Sequence, residues 1–374
     1  MKNLIRKAFF LVGLGIYTFA DFGGLSLSDL DSGGGTISLI SNGGANVLNL
    51  NIAKNFKFGE FNIEMGLNLV TPEDKRPAGL NLIEFRHAEY DNKTIGLRYG
   101  LLNNVTLGYG LIMDTYDSSP GITYFDGSKA GIKAYTKLYK PVCVYAVATN
   151  KRLYGIRLSY DIAYMPGINK SLVIGVTSVS DQGGVKSGSA LINQNVSGYS
   201  FDAGFNLVQD LIDVFLEYGT LSNNSNGITT GLKYYLNENF TVKTEFRSYG
   251  NNFVPGLFNS TYEKAPVDLN IYSSGPVTGV FAGFEARLLP LGIINAGYSL
   301  YQDKAPALKA AVAFREFMGY TGVINYEKLV FSGAPYVVTA VVSYKINILT
   351  SAQMSIEKIG DNDATYSLAY KLNF

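Results

Sequence analysis

The C-terminal stretch of the chain, residues 364–374, reads ATYSLAYKLNF. Apolar or aromatic side chains occupy every second position, at Tyr366, Leu368, Tyr370, Leu372 and Phe374. The residues between them are small or polar. A β-strand directs successive side chains to opposite faces, so this spacing predicts a strand with one wholly apolar face. The fold then depends on whether the rest of the chain keeps the same two-residue period.

A terminal phenylalanine at the end of such a strand resembles the C-terminal signal of bacterial outer-membrane β-barrels. The resemblance covers this stretch only. It implies that the last strand closes a barrel, and that the barrel-assembly machinery reads Tyr370, Leu372 and Phe374.

The same alternation recurs along the chain from Asn46 onward. It is clearest in segments 46–52, 61–69, 95–101, 105–113, 156–164, 199–207, 212–218, 240–247, 280–288 and 336–346. Weaker segments are 79–88, 129–139, 141–149, 169–179, 227–236, 291–301, 306–315, 320–329 and 350–359. Together these predict an all-β, transmembrane, antiparallel up-and-down barrel of residues 46–374. The barrel would have about 20 strands, with 18 as the alternative, each long enough to cross a bilayer when tilted.

Connection lengths give an independent check, because such barrels have short periplasmic turns and longer outer loops. If the last strand runs toward the periplasm, the connections predicted there are 102–103, 140, 165–170, 209–210, 237–238, 289–290, 316–319 and 347–349. All of these are short, and only 72–78 on that side is longer. The long connections 114–128, 181–197 and 250–276 are predicted outside.

The N-terminus has the composition of an export signal. Lys2, Arg6 and Lys7 precede an uncharged, largely apolar run over residues 8–20, which is too short to span a bilayer as a helix. Small residues at Thr18 and Ala20 predict cleavage after Ala20. Residues 21–45, rich in Gly, Ser and Asp, are interpreted as a periplasmic lead-in or a small plug. The predicted location is the bacterial outer membrane, with its lipid as a partner.

Composition excludes several classes of function. The net charge of +1, without a basic patch, argues against nucleic-acid binding. Cys143 is the only cysteine, so no intrachain disulfide can form. Asp/Asn-rich runs near residues 29 and 360 lack the closing Glu of an EF-hand loop, so no metal is predicted. No cofactor is predicted either.

Catalytic motifs are missing, and the chain is predicted not to be an enzyme. A Ser-His-Asp type triad would have to use His87, the only histidine. His87 is predicted at the end of strand 80–88, next to an outer turn. The enzyme alternative is therefore a rim lipase or protease that uses His87.

Charged residues on the polar faces are the strongest functional signal. The predicted pore-lining residues are Glu64, Glu84, Arg86, Arg98, Arg157, Asp161, Asp202, Asp213, Glu217, Lys243, Glu245, Arg247, Glu285, Arg287, Lys345 and Lys371. Both signs occur, often two residues apart on one face, which predicts mixed-charge ladders around a wet pore with weak charge selectivity.

These features predict a porin-like channel for passive diffusion of small hydrophilic solutes and ions. Its likeness to porins implies that such barrels can assemble as homotrimers and fold a long outer loop into the pore. Two alternatives besides the rim enzyme remain. One is a structural barrel that anchors the outer envelope and has its lumen blocked by loops. The other is a carrier for apolar molecules with residues 21–45 as a hatch.

Overall fold

The computed structural model describes the chain over residues 33–42, 45–71, 83–118, 130–139, 141–162, 172–183, 185–187, 190–192, 195–208, 211–259, 262–263, 269, 274–288, 291–302, 304, 306–317, 319–328, 336–346, 350–360 and 364–373. The predicted signal peptide, its cleavage position and Phe374 lie outside these residues. Within them, no helix is long and apolar enough to cross a bilayer.

The described residues contain 25 strands. They are β1 (Gly33–Asn42), β2 (Ala45–Phe58), β3 (Phe61–Thr71), β4 (Ile83–Asp91), β5 (Ile95–Gly100), β6 (Val105–Leu107), β7 (Met113–Tyr116), β8 (Gly131–Tyr139), β9 (Val142–Thr149), β10 (Leu153–Asp161), β11 (Leu172–Asp181), β12 (Val185–Ser187), β13 (Ala190–Ile192), β14 (Val196–Val208), β15 (Ile212–Leu221), β16 (Asn226–Asn237), β17 (Phe240–Tyr249), β18 (Phe258–Asn259), β19 (Val277–Leu288), β20 (Gly292–Tyr301), β21 (Ala307–Phe317), β22 (Tyr320–Glu327), β23 (Val337–Lys345), β24 (Thr350–Ile359) and β25 (Thr365–Asn373).

Twenty of these strands form one antiparallel sheet. Each of its strands pairs with the strand before it and the strand after it in the sheet, and the first also pairs with the last. Ile37 of β1 lies opposite Leu50 of β2 on one side and opposite Tyr370 of β25 on the other. The pairing is therefore cyclic, and each strand of the main sheet has two partners.

The predicted all-β, antiparallel character is confirmed. Among the described residues, the main sheet has 20 strands, and five short strands outside it bring the total to 25. The predicted boundary at Asn46 is wrong. Gly33–Asn42, assigned to a lead-in or plug, pairs along its length with β2 and for most of it with β25.

The predicted wall strand over 105–113 is also wrong. Gly108 and Gly110 adopt φ values of 70° and 93°, which interrupt the extended backbone and leave two short strands, β6 and β7. β8 is consequently the next strand of the main sheet after β5. The strand directions put the ends of β3 and β5 at the same end of the sheet as the end of β17, and not at the end with the short turns, where 72–78 and 102–103 were predicted. The wall loses the predicted strand 105–113 and gains β1. The directions predicted for the strands after residue 113 are therefore unaffected.

The two faces of the main sheet have opposite polarity. On β10, Tyr154, Ile156 and Leu158 are 45%, 51% and 51% exposed, whereas Gly155 and Arg157 between them are buried. The same arrangement recurs around the sheet, with Leu216, Leu232, Phe246 and Leu368 exposed on the apolar face. A soluble sheet buries its apolar face, and this sheet does the reverse.

Most of the apolar core lies in two connections rather than between sheets. We call residues 101–118 loop A, and the described residues 250–259 and 262–263 loop B. The fully or almost fully buried members are Leu102, Val105, Leu107, Leu111, Ile112, Met113, Tyr116, Phe253, Val254, Leu257, Phe258 and Tyr262. Both loops pack on the polar side of the main sheet.

Loop A reaches strands that are far apart in the sheet. Leu107 fills the space above Gly155 of β10, where an added Cβ would come within 2.9 Å of Leu107 Cδ1. Thr115 accepts a hydrogen bond from Lys309 Nζ of β21 at 3.1 Å. Loop A thus contacts β10 and β21, which lie far apart in the ring. A single loop can reach the same face of both strands only from inside the ring. Loop A therefore lies in the lumen.

Candidate functional site

Loops A and B form one unit within the lumen. The Gly256 N–H donates to the Leu111 carbonyl at 2.8 Å, and the Phe258 N–H donates to the Ile112 carbonyl at 3.1 Å. These bonds pair β18 in parallel with β7, which itself pairs with β6. Because the backbone groups of the two loops satisfy each other, the loops can occupy the lumen without leaving these buried amides unpaired.

Glu217 of β15 attaches loop A to the wall. Its side chain is fully buried, and one carboxylate oxygen accepts the backbone N–H groups of Tyr109 and Leu111, each at 3.0 Å. The other oxygen accepts the Ser200 hydroxyl at 2.6 Å. Gly108 permits this approach, since a Cβ there would lie 2.5 Å from Glu217 Oε1. Glu217 was predicted to line the pore, but its role in the structure is to hold the loop.

Arg157 and Asp202 form a buried ion pair below loop A. The guanidinium donates both Nη1 and Nη2 to the carboxylate, with the Nη2–Oδ1 distance at 2.7 Å. The side chains are 9% and 0% exposed. Two parallel hydrogen bonds of this kind help to offset the cost of burying both charges. Removal of either partner would leave the other charge buried and unpaired.

A three-residue charge ladder runs along β17. Lys243 Nζ lies 2.6 Å from Glu245 Oε1, and Arg247 Nε donates to Glu245 Oε2 at 2.6 Å. The Arg247 guanidinium also donates to the Tyr301 hydroxyl at 2.8 Å and lies over the Phe281 ring, 4.4 Å from its centroid. The sequence predicted this ladder from spacing alone, and the structure shows its contacts.

A cavity of about 150 Å³ opens between the two loops and strands β17 and β19–β22. Four basic side chains line it, Lys243, Arg247, Lys309 and Lys328, together with the three acidic side chains Asp114, Glu245 and Glu327. Lys309 Nζ is 3.7 Å from Glu327 Oε1 and 3.9 Å from Asp114 Oδ2. The charges of the cavity are therefore mixed and nearly balanced.

Polar contacts hold the loops to the end of the sheet where they begin. Tyr116 OH donates to Glu263 Oε1 at 2.5 Å, and Lys151 Nζ donates to Glu263 Oε2 at 2.6 Å. Tyr262 OH donates to Asp181 Oδ2 at 2.7 Å. Burial, with the Glu263 carboxylate, raises the pKa of Tyr116 far above its ordinary value, and burial with Asp181 does the same to the pKa of Tyr262. Both hydroxyls therefore remain protonated donors.

His87 is not at a rim, as the sequence predicted, but within β4. The bulge that shifts the β3–β4 register places it opposite Glu64. Its Nδ1 lies 3.3 Å from Glu64 Oε2, and its Nε2 lies 3.2 Å from Asn62 Nδ2. Both ring nitrogens thus face polar groups of the neighbouring strand.

The remaining predicted pore-lining residues are spread around the ring. Arg98 lies 3.9 Å from Glu89, Asp213 accepts from Asn206 and Tyr235, and Glu285 accepts from Arg287 at 2.8 Å. Asp161 is half-buried and Lys345 is exposed. The side chains of Glu84, Arg86, Lys371 and Leu372 lie outside the described part of the structure, whereas Tyr370 is 43% exposed.

Sequence reasoning missed Asp114, Lys309, Glu327 and Lys328 as lining residues. Lys309 and Glu327 occupy polar positions of the weaker predicted strands 306–315 and 320–329, so the alternation contained a signal for them. Nothing in the sequence indicates that Asp114, in a connecting segment, returns to the lumen. Within the described residues, no group of three or more His, Cys, Asp or Glu side chains is arranged to hold a metal.

Comparison with known proteins gives only distant similarity. No protein-family model matches the chain, and no curated protein matches it. Similar solved structures include a mutant of the porin of Rh. blastica, at 13% identity over 91% of this chain and 98% of the porin, with a TM-score of 0.30. They also include Wzi of Escherichia coli, an outer-membrane protein involved in group 1 capsule assembly and a carbohydrate-binding β-barrel. Wzi is 12% identical over 93% of this chain and 86% of its own, with a TM-score of 0.40.

Proposed function

We propose that the chain forms a transmembrane barrel of the bacterial outer membrane that passes small hydrophilic solutes and ions by diffusion, with weak charge selectivity. The observation that carries this proposal is the reversed polarity of a cyclic sheet. Large apolar side chains are exposed on its outer face, and charged ladders occupy its inner face. In lipid, backbone polar groups must be paired, and a closed sheet pairs them without an edge.

Loops A and B narrow the lumen in this proposal. They pack on β10 and its neighbours and reach Lys309 of β21. The charges beside them are mixed, with four basic and three acidic side chains around the cavity. A ring of one sign would favour ions of the opposite sign, whereas a mixed lining favours neither strongly.

Single-channel recording tests the proposal directly. Purified protein in planar bilayers is expected to give discrete conductance steps and, under a salt gradient, a small reversal potential. The matched control is protein unfolded before addition, which should give no steps. Folded protein without steps would refute diffusion through the lumen.

One observation favours a second candidate, a structural barrel whose lumen the loops block. The apolar side chains of loops A and B are almost completely buried, which suits a fixed plug as well as a constriction. Deletion of loop B separates the two candidates. A plugged barrel would conduct only after the deletion, whereas a diffusion channel conducts before it and gives larger steps afterwards.

A further inference from the structure

The cavity between the loops and the wall is lined by charges of both signs on the wall and by one acid, Asp114, on loop A. On β17, Glu245 is only 3% exposed and lies between Lys243 and Arg247, so its charge is offset within the ladder. This part of the wall therefore presents a net positive surface. Its more exposed member is Arg247, at 19% compared with 6% for Lys243, and the guanidinium contacts Glu245 and Tyr301. A guanidinium is well suited to bind a carboxylate.

Asp114 of loop A is the most exposed acid of the cavity. The Asp114 side chain is 36% exposed, compared with 15% for Glu327 and 3% for Glu245. Pairing of loop B with loop A fixes its position, because Gly256 packs against it with φ of 55° and would place a Cβ 3.5 Å from Asp114 Cβ. Among the three acids, Asp114 is thus the most accessible to the ammonium group of a solute, with Lys309 Nζ already 3.9 Å from its Oδ2.

The size of the cavity limits what can enter. At about 10–15 Å³ for a molecule the size of water, a cavity of about 150 Å³ has room for roughly ten non-hydrogen atoms. That volume suits a small polar molecule and excludes a long chain.

We propose that this cavity binds small zwitterionic solutes of the amino-acid class, with the carboxylate toward Arg247 and the ammonium toward Asp114. This proposal rests on the proposed diffusion function. Zwitterionic solutes would be the class that binds transiently at the constriction while diffusing through the lumen. A solute with one charge satisfies only one end of the cavity, and a neutral solute satisfies neither.

Four solutes of equal non-hydrogen size test the inference: alanine, lactate, alaninamide and lactamide. They are zwitterionic, anionic, cationic and neutral near pH 7. Binding to the folded, detergent-solubilised protein is measured by saturation-transfer NMR, which does not require conduction. Alanine is expected to bind about tenfold more tightly than lactate or alaninamide, since each lacks one charge-assisted contact, and lactamide is expected to bind weakest.

Variants locate the site. Asp114→Asn should bring alanine binding down to the level of lactate while lactate binding changes less than about threefold. Arg247→Gln should bring alanine binding down to the level of alaninamide. The matched controls Glu238→Gln, on an exposed turn, and Lys358→Gln, on β24, should leave alanine binding unchanged; neither residue lines the cavity.

Equal binding of the four solutes, tighter binding of lactate or alaninamide than of alanine, or no binding of alanine would overturn the inference. The solute series on the native protein decides this even if a variant fails to fold. Conductance without alanine binding would refute the inference alone, whereas alanine binding without conductance would refute the diffusion function alone.

Discussion

Glu217 is expected to control how firmly loop A is docked in the lumen. Replacement by Ala removes the acceptor of the Tyr109 and Leu111 amides and leaves two buried N–H groups without their partner. Each such loss costs about 1–3 kcal/mol, so docking should weaken by about 2–6 kcal/mol. The apolar contacts of Leu107, Leu111 and Ile112 remain, and the barrel itself should still form.

Amide hydrogen exchange measures this weakening. Since about 1.4 kcal/mol corresponds to a factor of ten, the lower estimate of 2 kcal/mol predicts exchange about 30-fold faster at Tyr109 and Leu111 in Glu217→Ala. Glu217→Gln should have a smaller effect, because an amide oxygen can still accept both N–H groups. Single-channel records of Glu217→Ala should also show larger or noisier steps, because the loop leaves the wall more often.

Asp213→Ala is the matched control for this prediction. Asp213 lies on the same face of β15, but it accepts hydrogen bonds from Asn206 and Tyr235 of the wall and not from the loop. Its replacement should leave exchange at Tyr109 and Leu111 unchanged. If those amides in Glu217→Ala keep protection within twofold of the native protein, the carboxylate does not hold the loop and the reasoning fails.

Three further predictions follow from other contacts. Leu216→Arg, on the exposed apolar face of β15, should destabilise the lipid-inserted barrel by about 2–4 kcal/mol in urea titrations, and a negligible change would show that this face does not meet lipid. Arg157→Met should cost about 3–5 kcal/mol because Asp202 is left buried without its guanidinium, and adding Asp202→Leu should recover most of that loss; an additive double variant would contradict the pairing. The pKa of Tyr116 is raised in the folded chain, so the stability that this hydroxyl contributes is complete below about pH 10, the ordinary tyrosine pKa, and falls as the pH rises above it. Urea unfolding should therefore show a smaller loss above pH 10 in Tyr116→Phe than in the native chain, and identical pH profiles would exclude that role.

The sequence predicted the wall well because alternation is a local property. A strand with Ile156, Leu158 and Tyr160 on one face and Arg157 on the other can be recognised without knowing its neighbours. Contacts between residues two apart are equally local, which is why the Lys243–Glu245–Arg247 ladder could be predicted. The alternation therefore fixes the face of the sheet on which each polar side chain lies, but not the residue that the side chain contacts.

The lumen could not be predicted in the same way. Segment 105–113 alternates as cleanly as a wall strand, yet its apolar residues Leu107 and Leu111 pack against the polar side of the sheet. The period of two describes a strand and does not distinguish a membrane face from the core of an inward loop. Gly108 and Gly110 were the only sequence signal of a break in this segment, because glycine readily adopts a positive φ. Both have a positive φ in the structure, which is incompatible with a continuous strand.

Contacts between residues that lie far apart in the sequence could not be predicted either. Glu217 lies more than a hundred residues from the amides it accepts, and Tyr116 is similarly distant from Glu263. Such pairs depend on how two loops return into the ring, and no spacing in the sequence contains that information.

The position of the apolar core connects the fold to the proposed function. A barrel of this width cannot fill its interior with wall side chains, so its lumen must contain water or other parts of the chain. Here the apolar side chains of loops A and B form one core together with inward-facing wall residues such as Val147, Val179 and Tyr249. The Gly256–Leu111 and Phe258–Ile112 hydrogen bonds also join the two loops, and the charged ladder of β17 and Lys309 of β21 still line a cavity beside them. Asp114 of loop A and Arg247 of the wall can therefore line the same cavity.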